Sequence, residues 1–389
     1  MKGGLIQLVA FGEEDVYLIS NEDITFFKFK YKRYSNFAVE NKEILFTDKP
    51  SFNSNSIIKL NKGGDLINKM YLKVDLPYDS SLDNTYWTNR IGFRLIKRVE
   101  FYVGNQLIDK LYGEWMHVWS ELSLTNDKKK YLDNMIGTTG NNGINNGLKA
   151  NVKNTLYIPL NFYFCNNFYS SFPIMSMLNK NVYMKFFFES KNNCIQSGTI
   201  PSGNLENISL LVDYIFLDNI EKKRFIQEDR EYVIEQIYKF EKNLSTSSIK
   251  EFILPFNLPT KQFVWVNKSL SNNMDKFTNF TNNGEYNINN IQFKINGSNY
   301  FRSKPRESDY FNYIIPYYNH SGFPDKGINT LIMCLNPEDL ISSGYWNLRK
   351  IKKFSIRVSS NSTSLFTIYA KSFNIIKIKD GLLDLFYKF

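Results

Sequence analysis

The chain is poor in the residues that most catalytic chemistry uses. Among 389 residues there are two histidines and three cysteines. His117 and His320 each stand without a second His or Cys at ligand spacing, which argues against a metal site. Cys165, Cys194 and Cys334 are odd in number and unpatterned in spacing. They read as reduced, mostly buried thiols of a protein made in a reducing compartment. No Gly-x-Ser-x-Gly elbow is present. Gly137, Gly140, Gly143 and Gly147 lack the flanking strand and helix that a phosphate-cradling loop needs. The adjacent carboxylates Glu13-Glu14 and Glu228-Asp229 read as solvated surface, not as a glycosidase pair flanking one bond. The expectation is a non-enzyme without a cofactor.

Long apolar runs are missing too. None approaches the ~18 residues of a membrane-crossing helix. The apolar stretch Leu5 to Phe11 is interrupted by Gln7 and followed by Glu13, Glu14 and Asp15, so a secretory signal is not expected. The net charge is +10, without concentration in one place. Lys128-Lys129-Lys130, Lys222-Lys223-Arg224 and Arg349 to Lys353 are separated and mixed with acids. They suit solvated faces or subunit contacts better than a nucleic-acid track, although the surplus permits attraction to an anionic membrane.

What is abundant is aromatic and amide. Phe, Tyr and Trp make up 16% of the chain, and the sequence contains 48 Asn against 11 Pro. That is the composition of many strands joined by polar turns. Period-two alternation marks Val99-Phe101-Val103, Val182-Met184-Phe186-Phe188, Leu210-Val212-Tyr214-Phe216, Ile291-Phe293-Ile295 and Phe354-Ile356-Val358 as half-buried strands. Helical signals are few. Asn219 to Tyr238 could hold one helix with Asn219 as its cap, and Asn336-Pro337-Glu338 reads as another short helix start. The polar stretch Thr125 to Asn151 reads as a long loop.

The chain also repeats itself. A shift of 192 residues carries Ser56-Ile57 onto Ser248-Ile249, Leu72 and Val74 onto Val264 and Val266, and Val99-Phe101-Val103 onto Ile291-Phe293-Ile295. A shift of 175 aligns Asn154 to Asn161 with Asn329 to Asn336, and a shift of 172 places Val182-Met184-Phe186 on Phe354-Ile356-Val358. The offset falls along the chain, as expected of a duplication whose second copy has lost loop residues. Each copy has the length of an eight-stranded sandwich of two antiparallel four-stranded sheets. The expected fold is therefore all-β: a tandem double jelly roll with short helices in its loops.

Particular motifs then carry a family resemblance. Gly3-Gly4-Leu5-Ile6-Gln7-Leu8-Val9-Ala10-Phe11-Gly12, Ile24-Thr25-Phe26-Phe27 and Tyr31-Lys32-Arg33-Tyr34-Ser35-Asn36-Phe37 resemble the opening of major capsid proteins of nucleocytoplasmic large DNA viruses, in their algal-virus and mimivirus-like branch. Leu156 to Cys165, Asp213 to Asp218, Tyr232 to Gln236 and Phe373 to Ile378 continue the resemblance along the whole chain. It implies a homotrimer whose six jelly rolls form a pseudo-hexagonal capsomer that tiles an icosahedral shell around an internal membrane. The implied partners are neighbouring capsomers and minor capsid proteins, with no direct nucleic-acid contact. The implied location is the virion, after synthesis in the host cytoplasm. By matching position, an N-terminal arm of residues 1–23 and the strand after it would sit at the capsomer base, through Gly3, Gly4, Leu5, Gln7, Phe11, Phe26 and Phe27. The expected division continues with a first roll over 24–218, a connector over 219–231 and a second roll over 232–389. Trp115, Trp119, Trp265 and Trp346 are candidate anchors of the trimer interface, and packing inside a roll is the other reading of each. The Asp380-Gly381-Leu382-Leu383-Asp384 ending departs from the family. It leaves open a minor capsid paralogue, and a carbohydrate-binding jelly roll is the reading from another class.

Overall fold

The computed structural model describes residues 23–25, 28–30, 35–60, 62–138, 147–177, 180–246, 248–270, 277–302 and 304–387. Eight strands build the first sandwich: β1 (Phe37–Leu45), β2 (Asn55–Leu60), β3 (Leu66–Asp75), β4 (Ile96–Val103), β5 (Gln106–Tyr112), β6 (Thr155–Pro159), β7 (Val182–Phe188) and β8 (Glu206–Leu217). They form two antiparallel sheets in the orders β2-β7-β4-β5 and β1-β8-β3-β6. Eight more build the second: β9 (Arg230–Leu244), β10 (Ser248–Ile253), β11 (Pro259–Ser269), β12 (Ile288–Ile295), β13 (Ser298–Asn299), β14 (Asn329–Ile332), β15 (Phe354–Ser360) and β16 (Ser364–Lys379). Their main paths are β10-β15-β12-β13 and β9-β16-β11-β14. Short pairs add to these sheets, among them β17 (Leu382–Leu385), which lies on β16.

Adding eight to each strand number of the first sandwich reproduces the second. The fold is thus a double jelly roll, and the duplication can be followed to single residues. In the first roll Val182, Met184 and Phe186 lie opposite Val103, Phe101 and Val99. In the second, Phe354, Ile356 and Val358 lie opposite Ile295, Phe293 and Ile291. The two registers superpose pair for pair. Alternation explains the facing: β7 buries every second residue, as a sheet with one face on a core must.

One alignment is corrected. Leu72 and Val74 point into the first core, whereas in β11 it is Phe263 and Trp265 that enter the second core. Val264 and Val266 lie on the opposite face and pack against the first roll. A register error of one residue moves a strand's whole side-chain set to the other face.

Three helix expectations also change. The connector helix spans Asn219–Gln227 and is capped by Asp218, whose Oδ1 accepts from the backbone N–H groups of Ile220 and Glu221 at 2.8 and 2.9 Å. It stops there because Tyr232-Val233-Ile234 continues into β9, a strand paired with β16 along its whole length. Asn336 to Leu340 forms bends, not a helix. The stretch read as one long loop contains a helix over Asn126–Ile136 that buries Leu132 and Ile136. Just before it runs α1 (Gly113–Ser123), within the β5-to-β6 connection, so the Asn126–Ile136 helix is called α2.

Cys194 is buried and Cys165 and Cys334 are half-buried, all three as free thiols. The second roll has its own aromatic core around Phe263, Trp265, Phe293 and Phe311. The larger apolar cluster does not stop at the boundary between rolls. It runs from the first core through Trp115 and Trp119 to Ile237, Val264, Val266 and Tyr369 of the second.

Candidate functional site

The most elaborated region of the molecule is this seam. Helix α1 lies against the outer face of sheet β9-β16-β11-β14. Its direction is set at Gly113, where a Cβ would stand 2.1 Å from the Phe93 carbonyl oxygen and 2.2 Å from that of Ile96. Four residues apart, Trp115 and Trp119 share one helix face and stack with centroids 5.6 Å apart. Trp115 meets Tyr369 at 5.2 Å, and the Lys371 ammonium lies 3.9 Å from the Trp119 ring centre. Lys268 closes one end on Glu114 at 3.4 Å.

Beneath these rings is a buried charge triad. Glu235 accepts from Lys371 at 2.8 Å and is also paired with Lys261. Lys261 reaches this face because the β11 register slips between Thr260 and Gln262, a bulge that re-aims the side chain. The surplus positive charge is shared with carbonyls: Lys261 donates to Asp339 O at 2.7 Å and Lys371 to Pro337 O at 3.2 Å. Burial pushes the Lys371 pKa down to about 8, with Glu235 opposing and Lys261 adding to the fall.

A second polar knot surrounds Arg90. Its guanidinium binds Glu121 at 2.5 Å and Asp133 at 3.2 Å, and it donates to His117 Nδ1 at 2.9 Å and to the Ser120 hydroxyl at 3.1 Å. Burial and then Arg90 hold His117 well below the usual histidine range, so the ring is neutral and Nδ1 serves as acceptor. Lys129, from the Lys128-Lys129-Lys130 cluster, bonds Glu121 and the Phe323 carbonyl, each at 2.9 Å. Phe323 belongs to the second roll, so this knot ties α2 across the seam. His320 lies 3.2 Å from Glu338 through Nδ1, and Ser321 donates to the same carboxylate from its N–H at 2.7 Å and its hydroxyl at 2.6 Å.

Further along the seam is a cleft of about 670 Å³, walled by Gln106, Ile108 and Asp109 of β5 and by Gln236 and Tyr238 of β9. Gln236 Nε2 donates to the Ile108 carbonyl, while its Oε1 accepts from Tyr238 at 2.6 Å and from Asn374 at 2.8 Å. Burial raises Asp109 to about 7. Among the described residues, no group of three His, Cys, Asp or Glu is placed to hold a metal ion.

The four tryptophans fall in different places. Trp115 and Trp119 are buried in the seam, Trp265 is buried in the second core, and Trp346 is half-buried against Tyr300 and Phe354. Packing inside the chain describes the first three. Gly3, Gly4, Leu5, Gln7, Phe11, Phe26 and Phe27 lie outside the described residues. The Glu235–Lys261–Lys371 triad had no signature in the sequence, because its members are far apart in the chain and meet only through strand pairing and a bulge.

Two broad surfaces remain open. One is part of the outer face of sheet β1-β8-β3-β6, where Val39, Leu45 and Tyr157 are exposed and Leu211 and Tyr71 lie opposite each other, half-exposed, while Leu66, Ile215 and Leu217 on the same face are covered by Met175 and Phe225. The other is the helical segment Tyr310–Ile314 and Ile315–Asn319, which exposes Tyr313, Ile314, Tyr317 and Tyr318. The arrangement is one of exposed faces and a cemented seam.

Two fused jelly rolls with a buried seam define a class of shell-forming folds. The sequence agrees. Residues 25–218 match the family model "Major capsid protein N-terminus", and residues 221–383 match "Large eukaryotic DNA virus major capsid protein". The chain is 31% identical to the major capsid protein of Pyramimonas orientalis virus, over all of both chains. It is 30% identical to probable capsid protein 4 of Acanthamoeba polyphaga mimivirus, over 97% of this chain and 98% of that one. The fold matches the crystal structure of PBCV-1 VP54 with a TM-score of 0.83 at 23% identity, covering 94% of this chain and 100% of that one. The chain belongs to the major capsid protein family of large eukaryotic DNA viruses.

Proposed function

We propose that this protein is the main shell subunit of a virion and that it trimerises into a pseudo-hexagonal capsomer that tiles an icosahedral capsid. The observation that carries the reading is the pair of equivalent sandwiches held side by side by a seam of stacked tryptophans and buried ion pairs. Two rolls joined covalently let three chains present six wedges, so fewer separate bodies lose translational freedom on assembly. The reading includes a base arm over residues 1–23, a first roll over 24–218, a connector over 219–231 and a second roll over 232–389. The two family matches at 25–218 and 221–383 support that division.

Its partners in this reading are two further copies, neighbouring capsomers, minor capsid proteins and the internal membrane, without direct contact to nucleic acid. Synthesis and assembly take place in the host cytoplasm, and the role is structural, without catalysis. The test is the mass of the purified protein by light scattering together with negative-stain images. A trimer of six-lobed outline is expected. A protein that stays monomeric at high concentration would overturn the reading.

A further inference from the structure

Two Asn-Gly pairs of the second roll close two-residue hairpin loops, and they differ in what holds the asparagine. Asn283-Gly284 joins Thr281–Asn282 to Glu285–Tyr286, with Asn282 paired to Glu285. Asn296-Gly297 joins β12 to β13, with Ile295 paired to Ser298. The two loops share one backbone form, with φ of 52° and 83° in the first and 50° and 87° in the second. Positive φ at both positions is the type I′ turn, which the Asn-Gly pair favours. All four residues are exposed, and a Cβ on either glycine would meet nothing within 4 Å.

The side chains are held differently. Asn296 Oδ1 accepts from the Lys353 N–H at 3.0 Å, while the Asn296 N–H donates to the Lys353 carbonyl at 2.8 Å. Side chain and main chain are thereby both tied to the residue that precedes β15. Among the described residues the Asn283 amide has no hydrogen-bond partner. It is free to turn toward the backbone nitrogen that follows it, and glycine brings no side chain to obstruct the approach. The hairpin around Asn283 has two paired positions, so local opening of its tip costs little. At Asn296 the same opening would also have to break both bonds to Lys353.

We propose that Asn283 is a site of spontaneous deamidation and that Asn296, in the same turn with the same following residue, is protected by Lys353. The Gly284 backbone nitrogen gives its proton to solvent and bonds to Asn283 Cγ. The Cγ–Nδ2 bond breaks, and the side-chain nitrogen leaves as ammonia. Water then opens the cyclic imide at either carbonyl. One opening gives an aspartyl linkage, the other an isoaspartyl linkage with a methylene inserted into the main chain. Water is the only co-reactant. Either product carries a new negative charge two residues from Glu285, whose carboxylate lies 3.5 Å from the Lys326 ammonium. The isoaspartyl product also loses the spacing of a two-residue loop. The inference does not depend on the capsomer reading.

The test is a time course of the folded full chain in mildly alkaline buffer, read by peptide mapping with mass spectrometry and by isoaspartyl methyltransferase labelling. The peptide holding Asn283 should convert several-fold faster than the peptide holding Asn296. In guanidinium chloride, where Lys353 no longer holds Asn296, the two should convert at similar rates. Asn283→Ser should remove the isoaspartyl signal from its own peptide and leave Asn296 unchanged. Equal rates in the folded chain overturn the proposal, because Lys353 would then give no protection. A difference that persists in denaturant overturns it too, since the flanking residues and not the fold would set the rates. An isoaspartyl signal that survives Asn283→Ser places the reaction at another asparagine.

Discussion

The ammonium group of Lys371, in the second roll, sits 3.9 Å from the ring centre of Trp119, in the first. A cation over an indole face is worth about 0.5–2 kcal/mol, more when water is excluded. Here the same ammonium is also bonded to Glu235. Trp119 therefore both fills the seam and forms one wall of the buried charge site. Trp119→Ala is expected to lower unfolding free energy by roughly 3–5 kcal/mol, the range for truncating a buried large aromatic. Trp119→Phe, which keeps a ring over Lys371, should lose less. Urea denaturation of both variants measures the difference, and equal losses would show that the ring face itself contributes nothing.

Lys371 gives a second prediction, through pH. Its folded pKa of about 8 is below the ordinary lysine value of about 10.4. Between those values the unfolded chain binds more protons than the folded one, so stability rises as pH climbs from about 8 to about 10.4. Below pH 8 the penalty of the buried charge is present in full. Lys371→Met removes this contribution and leaves Glu235 paired with Lys261, so at pH 7 the variant should match or exceed the wild type. Glu235→Gln instead strands two buried ammonium groups and should be destabilising by about 3–5 kcal/mol. Denaturant titrations from pH 7 to 10 check both, and a steeper pH dependence in Lys371→Met than in the wild type contradicts the account.

Gly113 offers a sterically sharp test. Backbone oxygens of Phe93 and Ile96 occupy the space that a Cβ would need, and neither is a flexible side-chain end that can move aside. Gly113→Ala should therefore displace α1 and loosen the seam, at a cost above about 2 kcal/mol, although alanine favours helix on propensity alone. Thermal melting reports the loss. A neutral or stabilised variant would show that α1 has freedom to shift.

The sequence pattern made the sandwiches visible because a sheet with one buried face writes its period directly into the chain. Val99-Phe101-Val103 and Ile291-Phe293-Ile295 could be matched in register for that reason. The match failed at Val264 and Val266, which are apolar because the first roll covers them from outside. Periodicity cannot distinguish a core from a neighbouring domain. The charge triad was hidden for a related reason: a one-residue bulge decides which face Lys261 takes, and no local pattern announces it. The capsid resemblance was legible in the opening motifs, yet most of those residues lie outside the described part of the chain.

Asp109 makes the seam a recorder of acidity. Its carboxyl is fully buried, and burial raises its pKa from 3.8 to about 7 against the pull of backbone N–H donors, Lys110 among them at 2.7 Å. Between pH 4 and 7 the folded state therefore holds a proton that the unfolded chain has released. Stability contributed by this group is present in full below about pH 4 and declines as pH rises through about 7, by a few kcal/mol on the scale of about 1.4 per pKa unit. Asp109→Asn keeps the size and the acceptor oxygen but cannot ionise. The variant should be as stable as the wild type near pH 4 and more stable at pH 8. Paired denaturation curves at the two pH values decide it: an Asp109→Asn protein that is less stable than the wild type at pH 8 means that Asp109 is needed there as a charged acceptor, against the burial that raises its pKa.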